Sequence, residues 1–374
     1  MPSAVLGTVA APVHVVLGHA GHAASHQSGA GPGGGYTPSQ VRTAYGFNNV
    51  PGLNAANYNT TAGQGETIAI VDAYDDPNIV SDLHAFDHKF GLPDPVLTKA
   101  TPEGAPAANE GWATEIALDV EWAHAMAPAA KILLVEAKDA GYPNLLSAVD
   151  YADSQPGVVA VSMSWGGGEF SAETSSSYDG HFVGHAGVTF VAASGDYGAP
   201  LWPAISPNVL AVGGTTLHAD RLGNYQSEVG WGNGSRSSLS GGSGGGISQF
   251  EAKPPYQAGV TQSGTQRTSP DVSYNANPNT GFSVYDSFGS GGWAVVGGTS
   301  AGAPQWAALV ALADQGRTSP LSTSQVLAAL YQHRTDFHDI TKGNNGHPAG
   351  PGYDLVTGLG SPIANLVVND LRTA

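Results

Sequence analysis

Short apolar runs alternate with helix-period patterns over much of the chain. Residues 67–72, 131–136, 158–164, 188–193 and 209–212 are aliphatic runs of strand length with few polar positions. Such runs fit strands buried on both faces. Between and after them, residues 78–90, 110–126, 145–153, 177–185, 301–314, 322–331 and 362–372 carry apolar positions at helical spacing. The 110–126 segment stops before Pro128, where a helix is expected to end. This β-α-β alternation predicts an α/β fold: a mostly parallel sheet with helices on both faces. The stretch 213–298 is rich in Gly and Ser and reads as loops and short hairpins.

A compact domain is expected to begin at residue 36, where Thr37 and Pro38 form an N-cap and first helical position. With no repeat or later boundary, residues 36–374 read as one domain. Residues 1–35 hold a mildly apolar segment and then a Gly/His/Ser-rich stretch ending in Gly33-Gly34-Gly35. Lacking a basic start they do not read as a signal peptide, and a flexible leader or prosegment remnant is expected.

Composition narrows the function. Thirteen Lys and Arg stand against 30 Asp and Glu, a net charge of −17. Nucleic acid is therefore not an expected partner, because phosphate neutralisation needs clustered cations. At acid pH the carboxylates neutralise and few positive charges remain, so self-repulsion stays small. There is no cysteine, which excludes disulfides, zinc-thiolate sites and a thiol nucleophile. No apolar run reaches membrane-spanning length, so no membrane partner is expected.

Three short motifs carry chemistry. Gly298-Thr299-Ser300 precedes an apolar helix and Pro304. A serine at such a turn exposes its hydroxyl, while its own N–H can help hold an oxyanion. By itself the turn reads more readily as a helix N-cap. Glu115 and Asp119 stand four apart on a helix flanked by Trp112, Ile116, Leu118 and Trp122. Shielded together they would share a proton, and a carboxylate so coupled can act as general base toward a hydroxyl. Ser194-Gly195-Asp196 follows an apolar strand, and strand carboxyl ends line the sites of parallel sheets. Two histidine pairs, His84 with His88 and His181 with His185, have zinc-compatible spacing but lack a Glu beside the first His. Solvated helix histidines are the better reading.

Together, Glu115-x-x-x-Asp119, Ser194-Gly195-Asp196 and Gly298-Thr299-Ser300-x-x-x-Pro304 resemble the sedolisin family of serine-carboxyl peptidases, kumamolisin-like members in particular. The resemblance runs from about Tyr36 to the C-terminus. It implies a subtilisin-like, single-domain fold and an acid-active, secreted, monomeric endopeptidase acting on protein or peptide substrates. It implies Ser300 as nucleophile, Glu115 as general base and acid, Asp119 as the group orienting Glu115, and Asp196 as a protonated oxyanion donor. It also implies that Ser164, Trp165, Gly166 and Gly167 pair with extended substrate, and that the enzyme's own prosegment acts as an inhibitor. One structural Ca²⁺ is implied, held by the carboxylates of Asp339 and Asp354 and the carbonyls of Ile340, Gly350 and Gly352; hard oxygen ligands suit that ion.

Two departures stand out. Only 35 residues precede Tyr36, fewer than the family's folded prosegment, and Gly302 stands where a slightly larger residue is common. Three alternatives remain open. A subtilisin-type neutral peptidase would use Asp72, although no His-Gly-x-His follows it. A glycosidase using Glu115 and Asp119 would leave the Gly-Thr-Ser turn unexplained. A catalytically inactive homologue acting as a binding protein would have kept four catalytic side chains without use.

Overall fold

A computed structural model of the protein describes residues 9–19, 29–183, 187–234 and 241–374. Its centre is an eight-stranded sheet. In spatial order the path runs Tyr225–Gly230, Leu210–Ala219, Thr189–Ala193, Val158–Met163, Thr67–Ala73, Lys131–Ala137 and Leu97–Ala100, with Val272–Asn275 pairing to Leu210–Ala219. All pairings are parallel except that of Tyr225–Gly230.

Alternation along the strands builds the core. Ile68 and Ile70 join one buried cluster, while Ala69, Val71 and Ala73 join another on the opposite face. The first face is covered by the helices Glu110–Met126 and Gly302–Asp314, the second by Tyr142–Asp153. The expected parallel α/β architecture is thus present.

Helix Glu110–Met126 forms over the residues expected. The Asn109 side chain caps it by accepting from the Trp112 N–H at 3.1 Å. Every residue from Trp112 to Met126 is buried, so the helix has no solvent stripe. Four ionisable groups therefore lie inside the protein and need partners. Glu121 accepts from the Tyr285 N–H, and His124 meets the Pro93 carbonyl and Asp87. Glu115 and Asp119 face the site described below.

The Gly/Ser-rich stretch differs from expectation. It contains the strands Gly246–Ala252, Gln266–Ser269, Phe282–Asp286 and Gly292–Gly297 as well as Tyr225–Gly230 and Val272–Asn275, two of them in the main sheet. The 177–185 segment is likewise not a long helix: a 3-10 turn spans Asp179–Phe182, where Asp179 accepts from the Trp202 indole. His185 lies outside the described residues. Part of the expected flexible leader is also ordered, since Ala11–Pro12 and Val15–His19 are strands paired to the body of the fold. Both pair with strands that border the Ser300 turn.

Candidate active site

The sheet's carboxyl ends converge on one point. Strand Val158–Met163 delivers Ser164, Thr189–Ala193 delivers Ser194 and Asp196, and Thr67–Ala73 carries Asp72. Helix Glu110–Met126 brings Glu115 and Asp119 to the same place. Ser300 sits in the turn Thr299–Ala301 that opens helix Gly302–Asp314. Ser164, Ser194, Asp196, Glu115, Asp119 and Ser300 are all buried.

The turn requires glycine at Gly298, which has φ +102°. A Cβ there would lie 2.7 Å from Asp196 Oδ2, from the Val13 carbonyl oxygen and from the His14 Cα. A backbone carbonyl from the N-terminal segment therefore occupies the pocket beside Asp196. The Ser300 N–H donates to that Val13 oxygen at 3.1 Å. Asp196 Oδ1 is fixed by the Thr299 N–H at 2.8 Å and the Thr299 hydroxyl at 3.0 Å. Its Oδ2 has no partner. Burial drives Asp196 up to about 7, against the lowering effect of those Thr299 hydrogen bonds and with the Glu115 charge adding to it. At acid pH the free Oδ2 carries a proton and can donate.

The base side holds a group of carboxyls. Glu115 Oε2 meets the His14 Nδ1 at 2.7 Å. Glu115 Oε1 and both Asp72 oxygens are buried without donors, while Asp119 interacts with the Ser164 hydroxyl and with Glu115. Burial pushes Asp119 well above the usual carboxylate range, with the Asp72 and Glu115 charges adding to it. Asp72 is pushed the same way by burial and then by Glu115 and Glu136. Carboxyls so packed are relieved by sharing protons, and Glu115 is held from its other side by the His14 imidazole. Asp72 is the member sequence reasoning assigned only to the subtilisin alternative. The charges acting on it come from carboxyls, and no imidazole is among them.

The expected Ser300–Glu115 contact is not made in this arrangement. The Ser300 hydroxyl faces the Ser164 carbonyl at 3.4 Å, and Glu115 is turned to His14.

The four residues expected to bind substrate lie beside this turn, three of them in a strand that is paired on both sides. Strand Trp165–Gly168 pairs antiparallel with Ala11–Pro12, with Ala11 opposite Gly166 and Pro12 opposite Trp165. The Ser164 carbonyl accepts from the Val13 N–H at 3.1 Å. Trp165 is buried, its indole donating to the Val71 carbonyl at 2.8 Å, so it anchors the strand rather than lining the cleft. Gly167 pairs with Trp202 on the other side.

Far from the turn in sequence, Asp339, Ile340, Gly350, Gly352 and Asp354 come together in one loop region. Asp339 accepts from the Gly352 N–H at 3.1 Å, and Asp354 accepts from the Gly350 N–H at 2.9 Å. Among the described residues, the Lys and Arg side chains in ion pairs, Lys99, Arg267 and Arg317, face other carboxylates. The donor set is wholly oxygen. Among the histidines, His84 pairs with Asp94 and His181 with Asp150.

The sequence from 107 to 354 matches the subtilase family model. The chain is 37% identical to kumamolisin of Bacillus sp. (strain MN-32), over 88% of this chain and 62% of that protein. It is 29% identical to sedolisin of Pseudomonas sp. (strain 101), over 93% of this chain and 63% of that protein. The chain thus spans rather less than two thirds of these relatives' length. In structure it superposes on Pseudomonas sedolisin, a serine-carboxyl proteinase complexed with two molecules of pseudo-iodotyrostatin. That match has a TM-score of 0.78 and 27% identity, and covers 91% of this chain and 98% of the other. With its three motifs gathered at one turn of a subtilisin-like α/β fold, the chain belongs to the subtilase family, in its sedolisin branch.

Proposed function

We propose that the protein is an acid-active serine endopeptidase that cuts extended peptides through an acyl-enzyme on Ser300. The observation that carries this reading is the convergence on one peptide carbonyl: the Ser300 N–H donates to it and the buried Asp196 carboxyl flanks it. Glu115, on the neighbouring helix, takes the Ser300 proton during attack and returns it to the leaving amine. Asp119 and Asp72 hold Glu115 in place by sharing protons with it. As the carbonyl oxygen gains charge, the Ser300 N–H and protonated Asp196 stabilise it. Substrate binds as an added strand on Trp165–Gly168, with the Ser164 carbonyl taking the N–H of the residue whose carbonyl is attacked.

The pH dependence follows from sign. Asp196 donates only when protonated, so activity falls as pH rises through about 7. A neutral, histidine-based mechanism is disfavoured, because Asp72 is embedded among carboxyls.

The same reading gives Asp339, Asp354 and the carbonyls of Ile340, Gly350 and Gly352 the role of holding one Ca²⁺, which would cross-link two loops by charge. An extracellular site of action is part of this reading. Hydrolysis of a peptide substrate at acid pH, compared among the wild type, Ser300→Ala and Glu115→Gln, tests it. Activity in the wild type and its loss in both variants is expected. Undiminished cleavage by Ser300→Ala overturns it.

A further inference from the structure

Helix Glu110–Met126 is fastened at three points to the hairpin of Phe282–Asp286 and Gly292–Gly297. The Trp122 indole donates to the Ser283 carbonyl at 3.1 Å, and the Tyr285 N–H donates to Glu121 at 3.1 Å. The Thr114 hydroxyl donates to Asp286 Oδ2 at 2.6 Å. The first two fastenings lie beyond Asp119, whereas the third lies one residue before Glu115. The second strand of the same hairpin runs directly into the Ser300 turn.

Asp286 is fully buried, yet each of its oxygens is hydrogen-bonded twice. Oδ1 accepts from the N–H groups of Phe288 at 3.0 Å and Gly289 at 2.7 Å. Oδ2 accepts from the Ser290 N–H at 2.7 Å as well as from Thr114. The loop so formed is held from behind by helix Ile79–Phe90, where Asp82 takes the Ser287 N–H at 2.7 Å and its hydroxyl at 2.8 Å. On its other side the loop touches the first turn of the helix that bears Glu115. A Cβ on Gly289 would lie 2.2 Å from the Glu110 carbonyl oxygen and 2.8 Å from Thr114 Oγ1, so only glycine permits this approach. The Thr114 hydroxyl has a weaker alternative in the Glu110 carbonyl at 3.4 Å, and back-bonding of that kind bends helices.

We propose that Asp286 is a positioning residue for the cleavage: through Thr114 it sets the helical turn that carries Glu115, and through its own loop it ties that turn to the strand leading to Ser300. Base and nucleophile are thereby held on one unit. Proton transfer needs heavy atoms about 2.6–3.2 Å apart, and a shift of about 1 Å in such a contact costs roughly a hundredfold. Asp286 touches no reacting atom; its effect passes entirely through Thr114. This inference rests on the Ser300–Glu115 reading above.

The test is steady-state kinetics of the full chain on a peptide substrate at pH 4, with circular dichroism and the melting temperature of each variant. Thr114→Val keeps the side-chain shape and leaves the three N–H bonds of Asp286 in place, so it cuts only the cross-link. It should stay folded and lose roughly ten- to a hundredfold in kcat with KM nearly unchanged, the split of a displaced base. Thr114→Ser, which restores the hydroxyl, should recover most of that loss. An amide accepts on one side only, so Asp286→Asn cannot serve both its own loop and Thr114. It should match Thr114→Val, and the double variant should lose no more than either alone. A folded Thr114→Val or Asp286→Asn with the kcat of the wild type overturns the inference, whatever its melting temperature, and leaves the peptidase reading standing. Losses that multiply in the double variant, or a Thr114→Ser as slow as Thr114→Val, overturn it too. A wild type that hydrolyses no peptide fails the Ser300 reading and this inference with it.

Discussion

Asp196 shows how one carboxyl acquires a task from its surroundings. An exposed aspartate near pKa ~4 would be charged through most of the working range of an acid enzyme. Burial, opposed by two Thr299 hydrogen bonds to Oδ1, raises Asp196 to about 7 and leaves Oδ2 free to carry the proton. Asp196→Ala removes that donor and should lower kcat by about 10²–10³, the cost measured for losing one oxyanion donor. Steady-state kinetics at pH 4 checks this, with an unchanged KM expected if Asp196 acts mainly on the transition state. Glu115, Asp119, Asp196 and Ser300 were legible in the sequence because each sits in a short motif. Asp72 was legible only as part of the subtilisin alternative, and His14 was not legible. Asp72 meets the carboxyl pair only through the alignment of a strand end with a helix. His14 reaches Glu115 across 101 positions of chain, which no local pattern encodes.

Elements were legible where a single period dominated. Helix Glu110–Met126 and the buried strands lie close to where the apolar patterns place them. The stretch after residue 213 was opaque because its strands are short and set among Gly/Ser-rich turns. Val272–Asn275 joins the sheet through Leu210–Ala219 rather than through its own periodicity. The leader read as flexible from its Gly content, yet residues 10–19 gain order from strands elsewhere in the chain. Gly302, where the family commonly has a larger residue, has a local reason here. A Cβ on it would lie 2.7 Å from Val212 Cγ1 and 2.9 Å from Tyr274 Cβ, although its φ is ordinary. Gly302→Ala should therefore destabilise the protein by about 1–3 kcal/mol through overpacking. Chemical denaturation checks this, and a stabilised variant would show that the helix can shift to make room.

Over the whole molecule the buried carboxyls set stability against pH. Asp76, Glu136, Asp196 and Asp314 are raised to about 7, and Glu173 and Glu251 to about 8, with burial the first cause in each. Unfolded carboxyls titrate near ~4, so between these values the native state holds protons that the unfolded state releases. Stability is thus fully present below about pH 4 and is lost as pH rises through 7–8. Exposed Asp139 and Asp220 shift the other way, but solvent screens them. A melting temperature that falls from pH 4 to pH 8 is expected by calorimetry, and one that rises would contradict the burial argument. The proposed Ca²⁺ between the Asp339 and Asp354 loops would be a second lever. A chelator should lower the melting temperature of the wild type and have little effect on Asp339→Asn, whereas an equal effect on both would place any bound ion elsewhere.

The pH dependence of kcat/KM on a peptide substrate, measured for the wild type and Asp196→Asn, tests the central claim most directly. The wild type should be active in acid and decline as pH passes about 7. Asp196→Asn keeps an N–H donor at every pH, so it should lose that alkaline limb even while its rate in acid is reduced. An optimum at neutral or alkaline pH, or an alkaline limb unchanged in Asp196→Asn, would contradict carboxyl-based catalysis at Ser300.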